Sequence, residues 1–324
     1  GITFQNFSDR VLFCYVASRT ATFNLVVENC GFQTAMLVAN RHQGTASFTN
    51  CTMSGMAETF VECNNVSLSN CTLTVGKVAS TCSNVTIQNS SITTTNFTFN
   101  SSSNVSVSNS SLSTTAQLAY HLSGGTFTDV TFPSCNKGFY YSDHLTFTNC
   151  SGAVANNFLS GVNYVELHNV SLTNLTCLAG SCQNILFDRV TAENRPSGTN
   201  DLGVMELSNV TFLAPAGYAS PADPSDAYAL KLLGFATGMY HVAGQTIEYV
   251  YLDSPSGIVW SAGVTLKHSY LKDQSTAFAS AGGTLDDCTL VNCGYALSGS
   301  GITCKNTIIS NCANWALFCT DNLT

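Results

Sequence analysis

Charged residues are scarce in this chain. Only 9% of its 324 residues are Asp, Glu, Lys or Arg, and the 19 acidic and 11 basic side chains give a net charge of −8. Soluble domains carry about 25% charged residues. Because the few basic residues form no basic stretch, the composition argues against a nucleic-acid partner. Runs of about eighteen apolar residues are also absent, so no membrane span is predicted.

Recognisable chemical motifs are missing as well. The sequence has no zinc-ligand spacing, no phosphate-binding Gly-rich loop and no catalytic Ser or Cys motif. Neither a metal nor a cofactor is therefore predicted. The chain starts at Gly1, without an initiator Met or a signal peptide. We expect it to be a processed or trimmed piece of a longer product.

What the chain has instead is a repeat of about twenty residues that runs along its whole length. The repeat reads apolar-x-apolar-x-Asn-(Cys/Ser/Val)-x-apolar, and clear copies are Val66–Leu73, Val85–Ile92 and Val105–Leu112. One degenerate copy falls near Ser225. Alternating apolar residues indicate strands, and a fixed period indicates a solenoid of about 15 to 16 turns.

The apolar alternation changes phase at the Asn of each repeat. Leu68 and Cys71 are both apolar but lie three positions apart, which is an odd step, so a straight strand would place them on opposite faces. The chain must bend at Asn70, and Asn tolerates the left-handed conformation that such a bend needs. We predict a structural ladder of bend residues formed by Asn50, Asn70, Asn89, Asn109, Asn149, Asn169 and Asn209.

Two short strands joined by a tight Asn bend, once per turn, resemble the right-handed parallel β-helix of the pectate-lyase-like superfold. The resemblance covers almost the whole chain and implies an all-β fold with stacked Asn side chains in one bend. We predict a single β-helix domain over residues 1–324, with an irregular insertion at about 213–244. This fold hosts many functions, so the resemblance is specific for the fold alone.

Enzymes of this superfold have recognisable signatures, and polygalacturonase-like members would show an Asp-Asp pair, a Gly-His-Gly and an Arg-x-Lys. Here Asp286-Asp287 is the only Asp-Asp pair, and Asp287 occupies a bend position. The other two signatures are absent, so no catalytic residue and no enzyme activity are predicted. The densest charged patch is interpreted as a solvated network and comprises Asp188, Arg189, Glu193, Arg195, Asp201 and Glu206.

The 15 Cys residues include sets that occupy equivalent places in successive turns. These sets are Cys30, Cys51 and Cys71; Cys63 and Cys82; and Cys293 and Cys312. They can form disulfides between turns in an oxidising compartment. Alternatively, they form an inward ladder of small apolar side chains. The two interpretations are compatible.

Ser, Thr and Asn fill the outward positions. An outward rank is predicted at Thr52, Thr72, Ser91, Ser111, Thr131, Ser151, Ser171, Thr191 and Thr211. Such a rank can be a packing face or an ice-binding face, or it can simply reflect β-propensity on exposed strands. Asn-x-Ser/Thr sequons, as at Asn65 and Asn322, suggest a secreted glycoprotein, although the repeat itself also generates them.

These features predict a structural subunit of an extracellular filament, sheath or surface layer that self-assembles through uncapped β-helix ends and Ser/Thr faces. One alternative is a carbohydrate-binding adhesin or tail-fibre-like module at the cell surface. A further alternative is a polysaccharide lyase or hydrolase. The expected partner is another copy of the chain, with glycans as the alternative, and the long loop could bind sugar through its aromatic residues.

Overall fold

The computed structural model describes residues 3–5, 24–33, 39–40, 44–196, 200–216, 218 and 228–319. Every regular element within these ranges is a β-strand, and the strands build a parallel β-solenoid of about 14 turns. The predicted all-β solenoid is therefore confirmed. The degenerate repeat expected near Ser225 lies outside the described residues. No helix long and apolar enough to span a membrane occurs within those ranges.

The chain consists of two compact units, Gly1–Val154 and Ala155–Thr324. Each unit is described by itself, and the single domain expected from the repeat remains a prediction. Strands β1 to β17 of the first unit are Thr3–Gln5, Leu25–Glu28, Gly31–Gln33, Ala39–Asn40, Ala46–Thr49, Thr52–Ser54, Glu58–Val61, Asn64–Ser69, Thr72–Val75, Lys77–Ser80, Ser83–Gln88, Ser91–Thr94, Phe97–Asn100, Ser103–Tyr120, Ser123–Tyr140, Asp143–Thr148 and Ser151–Val154.

One turn of the first unit comprises three strands, which we name A, B and C. In one such turn they are β8 (Asn64–Ser69), β9 (Thr72–Val75) and β10 (Lys77–Ser80). Equivalent residues of successive turns pair in parallel, so that Val85 lies opposite both Val66 and Val105. This register stacks the same residue types in rows, because each turn repeats the sequence pattern of its neighbour.

Phenylalanine dominates the core of the first unit. The Phe127 ring stacks on Phe147 with centroids 5.0 Å apart and meets Phe139 edge-on at 4.9 Å. All three side chains are fully buried. Outward positions of the same strands carry Ser and Thr, as in the exposed Thr126 beside the buried Phe127. The alternation of the sequence is thus translated into an apolar interior and a hydroxyl-rich surface.

The bend between the A and B strands has the predicted left-handed conformation. Asn70 has φ 52° and Asn89 has φ 48°. The same conformation is kept where the sequence departs from Asn, as at Arg189 (φ 56°) and Tyr249 (φ 54°). The parallel register therefore imposes the bend even on residues for which it is sterically unfavourable.

Two further left-handed positions per turn connect the C strand to the next A strand. One row comprises Glu62, Thr81, Ser101, His121 and Tyr141, and the other comprises Asn65, Asn84 and Asn104. The repeat motif did not predict these bends, since their residue types vary along the first row. They matter because the residues in both rows are exposed.

The second unit is built in the same way. Its strands β18 to β37 are Asn157–Ser160, Asn163–Leu175, Cys177–Gly180, Gln183–Asn194, Leu202–Met205, Ser208–Phe212, Leu230–Leu233, Thr237–Tyr240, Thr246–Glu248, Val250–Asp253, Ser256–Val259, Thr265–Lys267, Tyr270–Lys272, Thr276–Ala279, Thr284–Asp286, Thr289–Val291, Tyr295–Gly299, Thr303–Lys305, Ile308–Ser310 and Trp315–Cys319.

The predicted insertion at 213–244 contains regular structure. Strands β24 (Leu230–Leu233) and β25 (Thr237–Tyr240) lie inside it. Leu230 pairs with Val190 on one side and Val250 on the other. The solenoid therefore resumes at Leu230, because Leu230 and Leu232 restore the apolar alternation and are both buried.

Candidate functional site

The predicted ladder residues lie at bends of the solenoid. Asn50 Nδ2 donates to Asn29 Oδ1 at 3.2 Å, and Asn149 Nδ2 donates to Asp129 Oδ1 at 3.1 Å. Asn70, Asn89 and Asn109 line a shallow polar groove of about 540 Å³ together with Ser and Thr of the neighbouring B strands. Asn169 has the same left-handed backbone, with φ 52°.

Asn209 occupies a different bend from the other predicted ladder residues. Its Nδ2 donates to Asn184 Oδ1 at 3.0 Å, because strand Ser208–Phe212 pairs with the A strand that begins at Gln183. The step from Asn184 to Asn209 is longer than one ordinary repeat, and the extra residues shift the phase of the motif. For the same reason Thr211 pairs with Leu186 and lies outside the predicted Ser/Thr rank.

Thirteen of the cysteines in the described ranges are thiols rather than disulfides. Cys51 and Cys71 are buried, and their Sγ atoms lie 3.3 Å from the carbonyl oxygens of Thr49 and Ser69. Burial raises the pKa of Cys71, whereas a hydrogen bond with Cys63 lowers the pKa of Cys82. The remaining predicted members are Cys30, Cys293 and Cys312, of which Cys293 is fully buried.

The charged patch predicted around Asp188 consists of local ion pairs. Arg189 Nε donates to Asp188 Oδ1 at 3.0 Å and holds the pKa of that carboxyl below its usual value. His168 Nδ1 lies 3.1 Å from Asp188 Oδ2, and Arg195 Nε donates to Asp201 at 2.7 Å. Among the described residues, no group of three or more His, Cys, Asp and Glu side chains could hold a metal ion.

A groove of the second unit lies on the outer face of its C strands. Its volume is about 680 Å³. Tyr240 ends strand β25, Val259 pairs with it in strand β28, and Trp260 follows at a left-handed corner with φ 54°. This corner conformation leaves Trp260 75% exposed. Tyr240 stacks on His241 at 4.0 Å.

Small hydroxyl side chains and aliphatic residues line the rest of this groove, which we call the Trp260 groove. The hydroxyl side chains are those of Thr237, Ser256, Ser261, Thr276, Ser280 and Ser298. The Ser280 hydroxyl is buried and has no hydrogen-bond partner within the described ranges. No charged side chain lines the groove in the part of the chain that the structure describes. The arrangement therefore offers aromatic faces beside neutral hydrogen-bonding groups, which suits a ligand that is polar, uncharged and apolar on one face.

The first unit carries an aromatic cluster at the equivalent place of its own turns. Tyr120 and Tyr140 end C strands and pair with each other, and His121 and Tyr141 follow at left-handed corners. The Tyr141 ring stacks near His121 at 5.8 Å and meets Tyr120 edge-on at 5.7 Å. Tyr120 also contacts Phe97 at 5.8 Å. We call this set the Tyr141 cluster.

Neither aromatic surface was predicted from the repeat. A signal was nevertheless present, because Tyr recurs at positions 120, 140 and 240 and an aromatic residue or His follows each of them. Those spacings are multiples of the repeat length. The repeat motif is defined by the apolar and Asn positions alone, and these aromatic residues occupy the outward places between them.

Comparisons with known proteins found one family model and several solved structures. A family model described as "Protein of unknown function (DUF3737)" matches residues 17–120, which is less than half of the chain. The search of curated proteins found no match. Similar solved structures include a mutant tailspike protein of E. coli bacteriophage HK620 in complex with a hexasaccharide, which is 10% identical with a TM-score of 0.41. That match covers 88% of this chain and 66% of the tailspike, just under two thirds of its length.

Two other similar structures have different roles. PfbA, a surface adhesin of Streptococcus pneumoniae, is 9% identical with a TM-score of 0.41, and the match covers 90% of this chain and 83% of the adhesin. The catalytic domain of a GH87 alpha-1,3-glucanase in complex with nigerose is 10% identical with a TM-score of 0.26, and the match covers 94% of this chain and 61% of that domain. At these identities function has to be argued from this chain's own side chains.

Proposed function

We propose that the protein is a carbohydrate-binding module of the adhesin or tail-fibre type, located outside the cell or at its surface. The observation that carries the proposal is the Trp260 groove. Trp260 is 75% exposed beside Tyr240, in a chain whose other large apolar side chains are mostly buried. An exposed Trp on a concave surface is typical of a binding site.

The chemistry of the groove matches a sugar ring. A pyranose has an apolar C–H face, which packs on the flat ring of Trp or Tyr, and a rim of hydroxyl groups. The hydroxyls of Ser256, Thr276 and Ser298 can donate to and accept from that rim.

The chain provides a natural optical probe for this proposal, since it contains only two Trp residues. In the Trp315→Phe variant, Trp260 is the sole Trp. We expect a neutral oligosaccharide that binds in the groove to shift and quench the fluorescence of this variant in a saturable manner. A Trp260→Phe variant, which keeps Trp315, serves as the matched control and should show no saturable change.

The affinity for oligosaccharide should depend on the aromatic side chains of the groove. Truncation of an interface anchor commonly costs more than about 1 kcal/mol, which is roughly a five- to tenfold change in Kd. Trp260→Ala and Tyr240→Ala should therefore each weaken binding by about this factor, measured by calorimetry. If a broad glycan panel leaves the Trp260 signal unchanged while the protein is folded by circular dichroism, the proposal fails.

A second candidate function is self-assembly into a filament or sheath. It is favoured by an apolar surface on the last described strands. Ile308 is 62% exposed, Trp315 57% and Phe318 44%, and the rings of the last two stack at 5.3 Å. Exposed apolar side chains of this kind promote association with a second copy.

Electron microscopy with and without reducing agent tests this candidate. Self-assembly predicts long filaments in the wild type and their loss in the Trp315→Ser variant, with Trp260→Ser as the matched control. Loss of the filaments on reduction would also indicate disulfides between copies. Single dispersed particles under every condition would rule out self-assembly and would leave the glycan proposal untouched.

A further inference from the structure

The Tyr141 cluster differs from the Trp260 groove in its charge. Lys137 is exposed and holds its Nζ 5.7 Å from the centroid of the Tyr140 ring. Among the described residues, no carboxylate lies within ion-pair distance of Lys137. By contrast, Lys77, Lys267 and Lys272 each form an ion pair with an acidic side chain. The cluster therefore presents an unneutralised cation beside exposed aromatic rings.

The aromatic residues and Lys137 lie on adjacent turns of the first unit. Tyr140 and Tyr120 are backbone register partners, and the Tyr120 ring contacts both Tyr141 and His121, with centroids 5.7 Å and 4.2 Å away. Tyr141 is 57% exposed and His121 is also exposed. The imidazole of His121 adds a hydrogen-bond donor on the same surface. The acidic residue that follows in sequence, Asp143, has the imidazole of His144 3.7 Å away.

We propose that the Tyr141 cluster is a second binding site, and that it takes a carboxylate-bearing sugar of the uronic or sialic acid type. The C–H face of the sugar packs on Tyr141 and Tyr120, while its carboxylate accepts from Lys137 and His121. The attraction is charge-assisted, and it acts in a protein with a net charge of −8, which would otherwise repel an acidic glycan. This site does not depend on the Trp260 groove.

The test compares one oligosaccharide with and without its charge. An alginate oligosaccharide and its carboxyl-reduced form share the same backbone, and binding of each to the full chain is measured by calorimetry at low salt. We expect the wild type to bind the acidic form at least about fivefold more tightly. The preference should shrink as salt is added, because exposed charges are screened.

Three variants locate the binding. Lys137→Gln should abolish the preference for the acidic form, and Tyr141→Ala should weaken binding of both forms by about fivefold or more. Lys305→Gln removes another exposed lysine in the other unit and should change neither affinity. As a fourth measurement, Trp260→Ala should leave binding of the acidic form unchanged.

The outcomes separate this inference from the proposed function. If Lys137→Gln keeps the full preference, or if Tyr141→Ala binds like the wild type, the second site is refuted. If Trp260→Ala alone abolishes binding of both forms, the groove of the second unit is the only site and the proposed function stands. If neither form binds while neutral glycans still quench Trp260, the inference again fails by itself.

Discussion

Phe127 lies at the centre of the aromatic core of the first unit, and its replacement tests whether that core stabilises the solenoid. Its side chain is fully buried. Its ring contacts Phe147 at 5.0 Å, Phe139 at 4.9 Å and Phe99 at 6.4 Å. Phe127→Ala removes these contacts and leaves a cavity of about the size of the ring.

The expected cost can be bounded from this packing. Replacing a buried Phe with Ala costs about 3 to 5 kcal/mol, and the cost is larger where neighbours cannot collapse into the space. The strands on either side of Phe127 are held in parallel register with neighbouring turns, as shown by Phe127 pairing with Val107 and Phe147. We therefore expect a loss of about 4 kcal/mol in the free energy of unfolding.

The assay is guanidinium unfolding followed by far-UV circular dichroism, because both Trp residues lie in the other unit. Phe97→Ala is the matched control, since Phe97 is half-buried on the outer face and its ring contacts Tyr120. Its cost should be about 1 kcal/mol. Equal losses for the two variants would refute the assignment of inner and outer faces.

Further predictions concern the bends, a close contact, pH and the thiols. Asn70→Ala should lower stability by about 1 kcal/mol through left-handed strain, and Asn70→Gly should largely restore it; an unchanged melting midpoint for the Ala variant would contradict the bend assignment. Gly257→Ala should lower the midpoint more, because the added Cβ would collide with the backbone carbonyl of Ala277 in the neighbouring turn. Arg189 lowers the pKa of Asp188 in the folded state, so the stability contributed by this ion pair is present above the pKa of Asp188 in the unfolded chain and is lost as pH falls through the folded pKa. In Asp188→Asn, the free energy of unfolding should therefore fall less steeply as the pH is lowered. Burial raises the pKa of Cys135 to about 12, so thiol reagents should react slowly with Cys135 in the native protein. The unfolded chain without reductant should titrate at least thirteen thiols, and fewer would indicate disulfides.

The solenoid could be predicted because its determinants are local and repeated. The alternation in Val66–Leu73 indicates two strands, and the odd spacing between Leu68 and Cys71 requires a bend at Asn70. The structure has that bend, and it also has it at Arg189 and Tyr249, where the residue type does not favour it. At those positions the parallel register, rather than the local preference, sets the backbone.

The sequence motif does not predict which residues stack on each other where the length of a turn changes. Asn209 fits the motif in sequence but stacks on Asn184, at another bend, because the preceding turn is longer. The strands at Leu230–Leu233 and Thr237–Tyr240 lie within a stretch that was predicted to be an irregular insertion. The row in which such a residue lies is set by the backbone hydrogen bonds to the neighbouring turn, and these cannot be read from the match to the motif.

By itself, the sequence determined the all-β solenoid, the apolar interior and the hydroxyl-rich surface, because a period of two along each strand and of about twenty between turns encodes them directly. Only the tertiary structure decided which outward residues meet. Tyr120 and Tyr141 are 21 positions apart, and Tyr240 and Trp260 are 20 apart, yet stacking of successive turns places each pair on one surface. A ligand surface of this kind is assembled from several turns, and no single repeat contains it.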